Sequence, residues 1–482
     1  IFAFAVVSLL SCAGNTNMLV ENFEETNTST ASMQGNVSEP AVPYTYMLGI
    51  TPQRYSLFPE LNIQMLYEAQ AMEIVRSLSL QEKVGQLFII SLWNPDGADY
   101  SLTIGAWEKK QLRLIHPGGV ILFGGNIDTE AQVRKLCSGM QEHTKIPLFI
   151  ATDQEGGHIG RLYESGKIPA TRIPPPAQIG STENSDYAFL AGWITGRETA
   201  EAGLNIIFAP VADLHQSATH PVIGSRSFGA EPDCVAAMSL AFAEGMRTNG
   251  VLPVLKHFPG HGGAGADPHL GSSIDARSFE EINASDLLPF IRGIQAGIDC
   301  IMVSHVIMPN VSGDDLPASC SSFINTDLLR NKLAFRGVVF TDSVSMGAIT
   351  ARWDAGEAAI TVVEAGVDCI LEPPAPQKAY AALLKAVHEG RISESRIDSS
   401  VQRILTVKLK AGIIPWEPEW GPDPGTLVFE NRNESGGYRN DNRVLEKYIP
   451  DWRQINNTGI GNKLHRKINT VIREAVQRNK QK

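Results

Sequence analysis

The sequence predicts an α/β fold, specifically a (β/α)8 barrel of the TIM type, and two observations support that prediction. Eight short apolar runs alternate with amphipathic segments of helical length, and the apolar residues within each run are nearly continuous. Continuous runs are typical of parallel strands that are buried on both faces. Polar residues also follow most of the runs at the same end, as they do where strand ends form a binding face. A doubly wound open sheet is the alternative architecture.

The eight predicted strands lie between residues 86 and 371. They are 86–93, 119–123, 147–152, 205–211, 251–257, 298–304, 337–341 and 367–371. Helices are predicted over 62–80, 185–202, 231–248 and 377–389, where apolar residues recur at helical spacing. Strands that alternate with helices imply parallel β/α units, and eight such units imply a closed barrel.

The chain divides into four segments by composition. Residues 1–12 are interpreted as a truncated signal peptide with a lipobox, and residues 13–60 as a flexible spacer without helical or strand period. Residues 61–414 form the predicted barrel, and residues 415–482 are a C-terminal extension whose role the sequence leaves open. The basic end of this extension, from residue 463, is expected to be a solvated helix or a frayed end.

The first segment predicts export and a lipid anchor. Residues 1–10 are apolar but too few to cross a bilayer as a helix, which is typical of the centre of a signal peptide. The sequence Leu9-Leu10-Ser11-Cys12 resembles a bacterial lipobox. Cys12 is therefore expected to be lipidated and to hold the protein at a membrane face, in the periplasm or at the cell surface. An ordinary cleaved signal with a chance cysteine is the alternative.

Composition and charge narrow the range of partners. The net charge is −11, whereas nucleic-acid binding needs basic clusters that neutralise phosphates. We therefore expect no nucleic-acid partner, and contact with a membrane only through the lipid anchor. The protein is expected to be a monomer that needs no cofactor and no metal.

Charged and polar residues recur directly after the predicted strands. They are Asp153, Asp213, Lys256 with His257, Ser304 with His305, and Asp342. In a barrel the carboxyl ends of all strands meet at one face, so these side chains are expected to converge on one mouth. This repeated placement of charge is the strongest sign of an enzyme within the sequence.

The segment 256–275 is rich in chemically active side chains, and two interpretations compete. A metal site is the first, because His257 and His261 stand four residues apart with Asp267 and His269 nearby. However, the Phe-Pro-Gly between the two histidines interrupts the helix that would bring both imidazoles to one face. A sugar-binding loop is the second and favoured interpretation, with Lys256 and His257 as donors to hydroxyls. Under this second interpretation, Asp267 orients the His269 imidazole for proton transfer near neutral pH.

Asp342 completes a catalytic pair with that loop. It directly follows the seventh predicted strand, and a rigid strand end suits a nucleophile that must attack in line. Capping of the following helix is the structural alternative for this aspartate. Cleavage of a glycoside needs a nucleophile and a proton donor that flank the bond, and Asp342 and the Asp267–His269 pair can supply them.

Three further residues are candidates for holding a sugar. Asp153 follows the third predicted strand, and a carboxylate there can accept from two adjacent hydroxyls. Arg161 and Arg226 offer donors for hydroxyl or acetamido oxygens. A structural ion pair is an equal alternative for each arginine.

Six segments together resemble glycoside hydrolase family 3, in its β-N-acetylglucosaminidase branch. They are DQEGGHIGRL (153–162), NIIFAPVADL (205–214), HPVIGSRSFG (220–229), LKHFPGHG (255–262), DPH (267–269) and FTDSVSMGAI (340–349). They occur in the family's order and span the whole predicted barrel. The segment KHFPGHG followed by an Asp-x-His pair is the part most specific to this branch.

The resemblance implies roles for the candidate residues. Asp342 would be the nucleophile, His269 the general acid and base, and Asp267 its partner. The terminal N-acetylglucosamine would be held by Asp153, Arg161, Arg226, Lys256 and His257. The implied reaction is exo-hydrolysis with retention, on peptidoglycan fragments or chitin oligosaccharides. A phosphorylase or a β-glucosidase of the same family, and a non-catalytic glycan-binding lipoprotein, are the alternatives.

Overall fold

Parallel strands form the centre of the computed structural model, which describes residues 63–94, 99–215, 222–264, 273–420, 443–455 and 458–481. The strands are β1 Phe88–Ser91, β2 Trp93–Asn94, β3 Asp99–Tyr100, β4 Gly119–Ile121, β5 Phe149–Thr152, β6 Gln154–Gly156, β7 Ile159–Gly160, β8 Ile206–Ile207, β9 Leu252–Pro253, β10 Leu255–Phe258, β11 Cys300–Val303, β12 Val338–Thr341 and β13 Ile370–Leu371. The order β13-β1-β4-β5-β8-β9 forms one sheet and β10-β11-β12 another. The pairs β2–β3 and β6–β7 are short and antiparallel.

Helices connect the strands and cover them. They are α1 Ile63–Ser77, α2 Leu80–Gln86, α3 Ala106–Ile115, α4 Glu130–Gln141, α5 Pro176–Gly180, α6 Ser185–Glu201, α7 Pro232–Arg247, α8 Phe279–Ala284, α9 Leu287–Gln295, α10 Pro309–Ser312, α11 Gly347–Thr350, α12 Ala355–Ala365, α13 Pro376–His388, α14 Glu394–Lys410, α15 Arg443–Tyr448 and α16 Lys463–Lys480. A π-helix covers Phe323–Lys332, and short 3₁₀ turns include Arg161–Tyr163 and Gly224–Arg226.

All strand pairs within the two larger sheets are parallel. Phe88 of β1 pairs with Ile370 of β13, and Cys300 of β11 pairs with Val338 of β12. Single parallel bridges, Val211–Lys256 and Phe340–Cys369, join one sheet to the other. The predicted α/β fold with parallel strands is confirmed, while closure of the strands into one complete barrel stays a prediction.

Each predicted apolar run contains a strand, but the fifth run contains two. It divides at Val254 into β9, which pairs with β8, and β10, which pairs with β11. Pro253 pairs with Ile207 although it has no N–H, because the ladder to β8 runs through the N–H groups of Leu252 and Val254. The Val254 N–H donates to the carbonyls of both Ile207 and Ala209, at 3.1 and 2.9 Å, where β9 ends. Lys256 and His257 are thereby carried on a separate strand.

Helices α6 and α7 pack with their backbones in contact. A Cβ atom on Gly192 would lie 2.0 Å from the carbonyl oxygen of Phe242, and one on Gly245 would lie 2.2 Å from that of Phe189. Only glycine permits so close an approach. The contact fixes the position of α6, whose last turn holds Glu198.

The C-terminal helix α16 is packed against the rest of the fold. Leu464, His465, Ile468 and Ile472 are buried on one face, while the basic residues line the other. The expectation that this stretch is a helix is correct, but the expectation that it is solvated or frayed is wrong. Its apolar residues recur at helical spacing and bury a continuous stripe.

The N-terminal predictions lie outside the described residues. These are the signal peptide and lipobox, the spacer, and the first residues of the predicted barrel segment. Among the helices that the structure describes, none has both the length and the apolar character needed to cross a membrane. Lipidation of Cys12, and with it export and anchoring, stays a prediction.

Lys408 is a fully buried lysine on α14. Its Nζ donates to Oε1 of Gln86 at 3.0 Å and lies 4.9 Å from the centre of the Phe149 ring. Burial lowers its pKa from 10.5 to about 7, because an ammonium loses its hydration inside the fold. The folded chain therefore holds this proton less tightly than the unfolded chain does.

Replacement of Lys408 by methionine is expected to raise the free energy of unfolding at neutral pH by about 1–4 kcal/mol, because a similar apolar side chain avoids the desolvation of the ammonium. In the parent protein this contribution to stability should grow as the pH rises from about 7 towards 10.5, since only the unfolded chain then binds the proton. In the Lys408→Met variant this increase of stability with pH should be absent. Urea unfolding at neutral pH and at about pH 9 measures both effects.

Lys410→Met is the control on the same helix. Lys410 is paired with Asp299, so its replacement should lower the stability. A Lys408→Met variant that is less stable than the parent at neutral pH would contradict the prediction.

Candidate active site

The candidate site lies at the carboxyl ends of the parallel strands. Asp153 directly follows β5, Lys256 and His257 lie in β10, and Asp342 directly follows β12. Strand ends are rigid because the ladder hydrogen bonds fix the backbone on both sides. The Asp342 N–H, for example, donates to the carbonyl of Val303 on the neighbouring strand at 2.9 Å.

A buried network of ion pairs surrounds Lys256. Its Nζ lies 2.8 Å from Oδ1 of Asp153 and 2.7 Å from Oε1 of Glu155. Arg226 donates to both carboxylate oxygens of Glu155 at 2.8 Å, in the bidentate geometry that a guanidinium favours. Burial raises the pKa of the Glu155 carboxyl, but Arg226 and Lys256 outweigh burial and hold it well below its usual range. The Glu155 carboxyl is therefore ionised at neutral pH.

A second carboxylate, that of Asp213, holds His257. Asp213 is fully buried, and its Oδ2 lies 2.6 Å from Nδ1 of His257. Its Oδ1 accepts the backbone N–H of His261 at 2.8 Å. With Nδ1 engaged by Asp213, His257 turns Nε2 away from that carboxylate, and its ring orientation is fixed.

Asp342 is a partly exposed carboxylate that remains ionised. Its Oδ1 accepts the N–H of Ser343 at 2.8 Å. Burial raises the pKa of Asp342, whereas the charges of the nearby His257, His305 and Lys256 lower it by a larger amount. Its pKa is therefore below the ordinary value. The helix-cap alternative is wrong for this residue, because the next helix, α11, begins at Gly347 after Met346.

His305 and Glu372 also belong to the site, although the sequence assigned a role to neither. His305 bonds through Nε2 to the carbonyl of Ser343 at 2.9 Å, and the Ser343 hydroxyl donates to Oε2 of Glu372 at 2.7 Å. Burial raises the pKa of Glu372, and the charges of Asp153 and Asp342 raise it further. The signal for His305 was present, since it follows the sixth predicted strand. Glu372 likewise follows the eighth.

The structure brings most of the predicted site residues together. Asp153, Arg226 and Lys256 share the ion-pair network. His257 and Lys256 both lower the pKa of Asp342. Arg161 is placed differently. Its side chain pairs with Glu164 at 3.3 Å, and only its backbone N–H reaches the Asp153 carbonyl, at 3.2 Å. Asp267 and His269 lie outside the described residues.

Sequence reasoning assigned no role to Glu155 or Asp213, although Asp213 was among the charged residues expected at the mouth. Both are buried carboxylates that hold a basic residue in place, Glu155 for Arg226 and Asp213 for His257. Glu155 stands inside the quoted segment DQEGG, but nothing in the sequence pairs it with an arginine 71 positions away. Among the described residues, no group of three or more His, Cys, Asp or Glu side chains is arranged to hold a metal ion.

Comparison with known families defines the class of this site. Residues 79–407 match the Glycosyl hydrolase family 3 N terminal domain, which is more than half of the chain. The chain belongs to glycosyl hydrolase family 3. Its relatives place it among the β-N-acetylhexosaminidases of that family.

Three similar proteins illustrate this relationship. A beta-hexosaminidase of Pseudomonas aeruginosa is 38% identical over 304 residues, which are 61% of this chain and 88% of the relative. A family 3 beta-N-acetylglucosaminidase structure from Paenibacillus sp. str. FPU-7 is 36% identical with a TM-score of 0.66, over 70% of this chain and 64% of that one. This chain thus spans just under two thirds of the Paenibacillus chain. The beta-glucoside phosphorylase BglX, bound to 2FGlc, is 25% identical with a TM-score of 0.67, over 89% and 69% of the two chains.

Replacement of Glu155 by glutamine is expected to lower the free energy of unfolding by about 3–5 kcal/mol, because Arg226 and Lys256 would lose a buried charged partner. Glu164→Gln is the matched control, since Glu164 is exposed and pairs with Arg161 at the surface. That change should cost less than about 1 kcal/mol. Urea unfolding compares the two variants, and equal losses would show that the Glu155 network does not stabilise the fold.

Proposed function

We propose that this enzyme is a retaining exo-β-N-acetylglucosaminidase that removes terminal β-linked N-acetylglucosamine through a glycosyl-enzyme on Asp342. The setting of Asp342 is the observation that carries the proposal. An ionised, partly exposed carboxylate at a rigid strand end, beside a network of fixed charges, suits nucleophilic attack on an anomeric carbon. The relatives named beta-hexosaminidase support the choice of sugar.

The reaction proceeds by double displacement in this proposal. An Asp342 oxygen bonds to the anomeric carbon while the glycosidic oxygen leaves and takes a proton from His269, which Asp267 orients. His269 then removes a proton from water, and the water oxygen replaces Asp342 on the sugar. The second inversion restores the original configuration and frees the carboxylate.

The ion-pair network around Lys256 is the proposed holder of the sugar. Lys256 has three N–H donors, and two of them face Asp153 and Glu155. The third can donate to a sugar hydroxyl, and the second oxygen of Asp153 can accept from one. His257 and Arg226 complete the proposed contacts with hydroxyl or acetamido oxygens, and Arg161 would join them only by leaving Glu164. Because these groups are already fixed by their ion pairs, they are preorganised and need not move when the sugar binds.

We infer in addition that the strands close into a (β/α)8 barrel. The bridges Val211–Lys256 and Phe340–Cys369 support closure, because they link the two sheets in the parallel sense at both seams. A closed barrel gathers the ends of β5, β10, β12 and β13 around one mouth, where Asp153, Lys256, Asp342 and Glu372 stand. The proposed natural substrates, peptidoglycan fragments or chitin oligosaccharides, would present their non-reducing end to that mouth.

Replacement of Asp342 by asparagine is expected to lower kcat for an aryl N-acetyl-β-glucosaminide by about a thousandfold or more, because the nucleophile is lost while the site keeps its shape. Asp315→Asn, at an exposed aspartate on a surface loop, is the control and should keep the parent activity.

A fluorinated N-acetylglucosaminyl donor should also leave a covalent adduct that mass spectrometry locates on Asp342. Full activity of the asparagine variant, or an adduct on another residue, would refute the assignment. No turnover by the parent would favour the non-catalytic glycan binder.

Phosphorolysis is the second candidate, and the similarity to the phosphorylase BglX favours keeping it in the test. After it has protonated the leaving group, His269 is neutral and does not repel an incoming phosphate as a carboxylate would. We expect water to be the acceptor, so turnover of the aryl substrate should be unchanged when phosphate is added. Free N-acetylglucosamine should be the product in both conditions. Accumulation of a sugar phosphate, with faster turnover, would instead identify a phosphorylase.

A further inference from the structure

The C-terminal segment 458–481 contacts the loop that supports the sugar-holding network. We call this segment the brace, residues 161–175 the support loop, and residues 154–160, which contain β6 and β7, the hairpin. The brace consists of a turn and helix α16, and it belongs to the extension to which the sequence assigned no role. It is joined to the support loop by buried hydrogen bonds through Glu198 and by exposed ones to Arg172, and these contacts run step by step towards Glu155.

Glu198 on α6 is the point where brace and support loop meet. Its carboxylate is buried and accepts from the N–H of Thr171 at 2.9 Å and from the Thr171 hydroxyl at 2.7 Å. From the brace, it accepts the N–H of Gly461 and Nδ1–H of the fully buried His465, both at 2.9 Å. One carboxylate thus ties both segments to the same helix, and a buried carboxylate is costly to leave without its donors.

A second group of contacts holds the residues next to Thr171. The side chains of Asn469 and Arg473, on α16, donate to the carbonyl of Arg172 at 3.3 and 2.6 Å. Gly461 is left-handed, with φ of 63°, and a Cβ there would lie 1.7 Å from the carbonyl oxygen of Pro169. The brace therefore contacts the support loop on both sides of Thr171.

The support loop in turn fixes the hairpin. The Ile173 carbonyl accepts the N–H of Gly157 at 3.1 Å, and the Tyr163 hydroxyl donates to the Gly157 carbonyl at 3.0 Å. Arg172 donates to the Tyr163 carbonyl at 3.1 Å, and its guanidinium lies 4.8 Å from the centre of the Tyr163 ring. Gly157 is separated by one residue from Glu155, which pairs with Lys256 and Arg226.

From these contacts we propose that the brace is a positioning element for the sugar-holding network, with His465 and Gly461 as its principal residues. The inference rests on the proposed function, because it assumes that Lys256 and Asp153 hold the sugar. Hydroxyl contacts must be placed to within a fraction of an ångström, and the glycine-rich hairpin cannot hold Glu155 in place by itself. The brace supplies the missing rigidity from outside the parallel strands. Asp342 stands on β12 and does not depend on it.

His465→Ala and Gly461→Ala test the proposal with a substrate titration. The first removes a donor to Glu198, and the second drives the turn away from Pro169. In both variants KM for an aryl N-acetyl-β-glucosaminide should rise by about tenfold, since hydroxyl contacts misplaced by less than 1 Å weaken binding. In both, kcat should change little, because Asp342 keeps its position. General destabilisation would instead reduce the active fraction and so lower kcat at unchanged KM.

Two matched variants complete the design. His465→Asn places an amide N–H where Nδ1–H stood and should restore KM to near the parent value. Arg478→Ala, at an exposed position on the same helix whose charge pairs with nearby Glu474, should leave both constants unchanged. Unchanged KM in His465→Ala and Gly461→Ala, or a loss of kcat alone, would overturn the proposal.

Hydrogen exchange of the ligand-free protein separates this proposal from the proposed function. The Gly157 N–H should exchange faster in His465→Ala than in the parent and in His465→Asn, whether or not the substrate is the right one. If the parent protein fails to turn over the substrate, the proposed function fails, and the exchange result alone decides whether the brace fixes the hairpin. Equal exchange at Gly157 in all variants would overturn the positioning role.

Discussion

The pairing of the buried Lys256 ammonium is the interaction on which the rest of the site depends. An ammonium removed from water loses several kcal/mol of hydration, and only close opposite charges with good geometry offset that loss. Asp153 and Glu155 provide these charges, and the second of them needs Arg226 to balance its own burial. The positions of three separate chain segments, at β5, β10 and the turn at Gly224–Arg226, are therefore coupled through one charge network.

The same network sets the electrical environment of the reacting groups. Asp342 lies among His257, His305 and Lys256, whose charges hold its pKa below the ordinary value and favour the anion. Glu372, bonded to the neighbouring Ser343, has the opposite setting, because burial and the charges of Asp153 and Asp342 raise its pKa. The pKa values of two carboxyl groups at adjacent strand ends are thus shifted in opposite directions by their neighbours. A fixed carboxylate such as Asp342, beside fixed donors, is suited to stabilising a sugar that becomes cationic during cleavage.

The sequence allowed the strands and most of the site to be predicted, for identifiable physical reasons. Buried parallel strands need continuous apolar runs, and the polar residues that follow them can only gather at one face, so Asp153, Lys256 and Asp342 were found by pattern. The roles of Glu155 and Asp213 could not be predicted, because each depends on a partner far away along the chain. The division of the fifth strand depends on the hydrogen bonds of Val254, which no apolar pattern records. The basic surface of α16 hid its apolar stripe, and the reading as a solvated end was therefore wrong.

The hairpin shows why a rigid strand end needs help a few residues further on. Within a strand, the ladder fixes each residue, but Gly156, Gly157 and Gly160 give residues 154–160 more conformational freedom than residues with a Cβ would. Glu155 must nevertheless be placed accurately enough to bind Arg226 through both carboxylate oxygens and to pair with Lys256. Contacts from the network fix the hairpin on its inner side, and Tyr163 and Ile173 fix it on its outer side. Glycines are required where a side chain would meet the support loop, as at Gly157, whose Cβ would lie 3.0 Å from Pro175. The close packing on the support loop therefore requires glycines in the hairpin and also restricts their conformational freedom. That packing is supported by the brace, a segment distant in sequence from every residue proposed to touch the sugar.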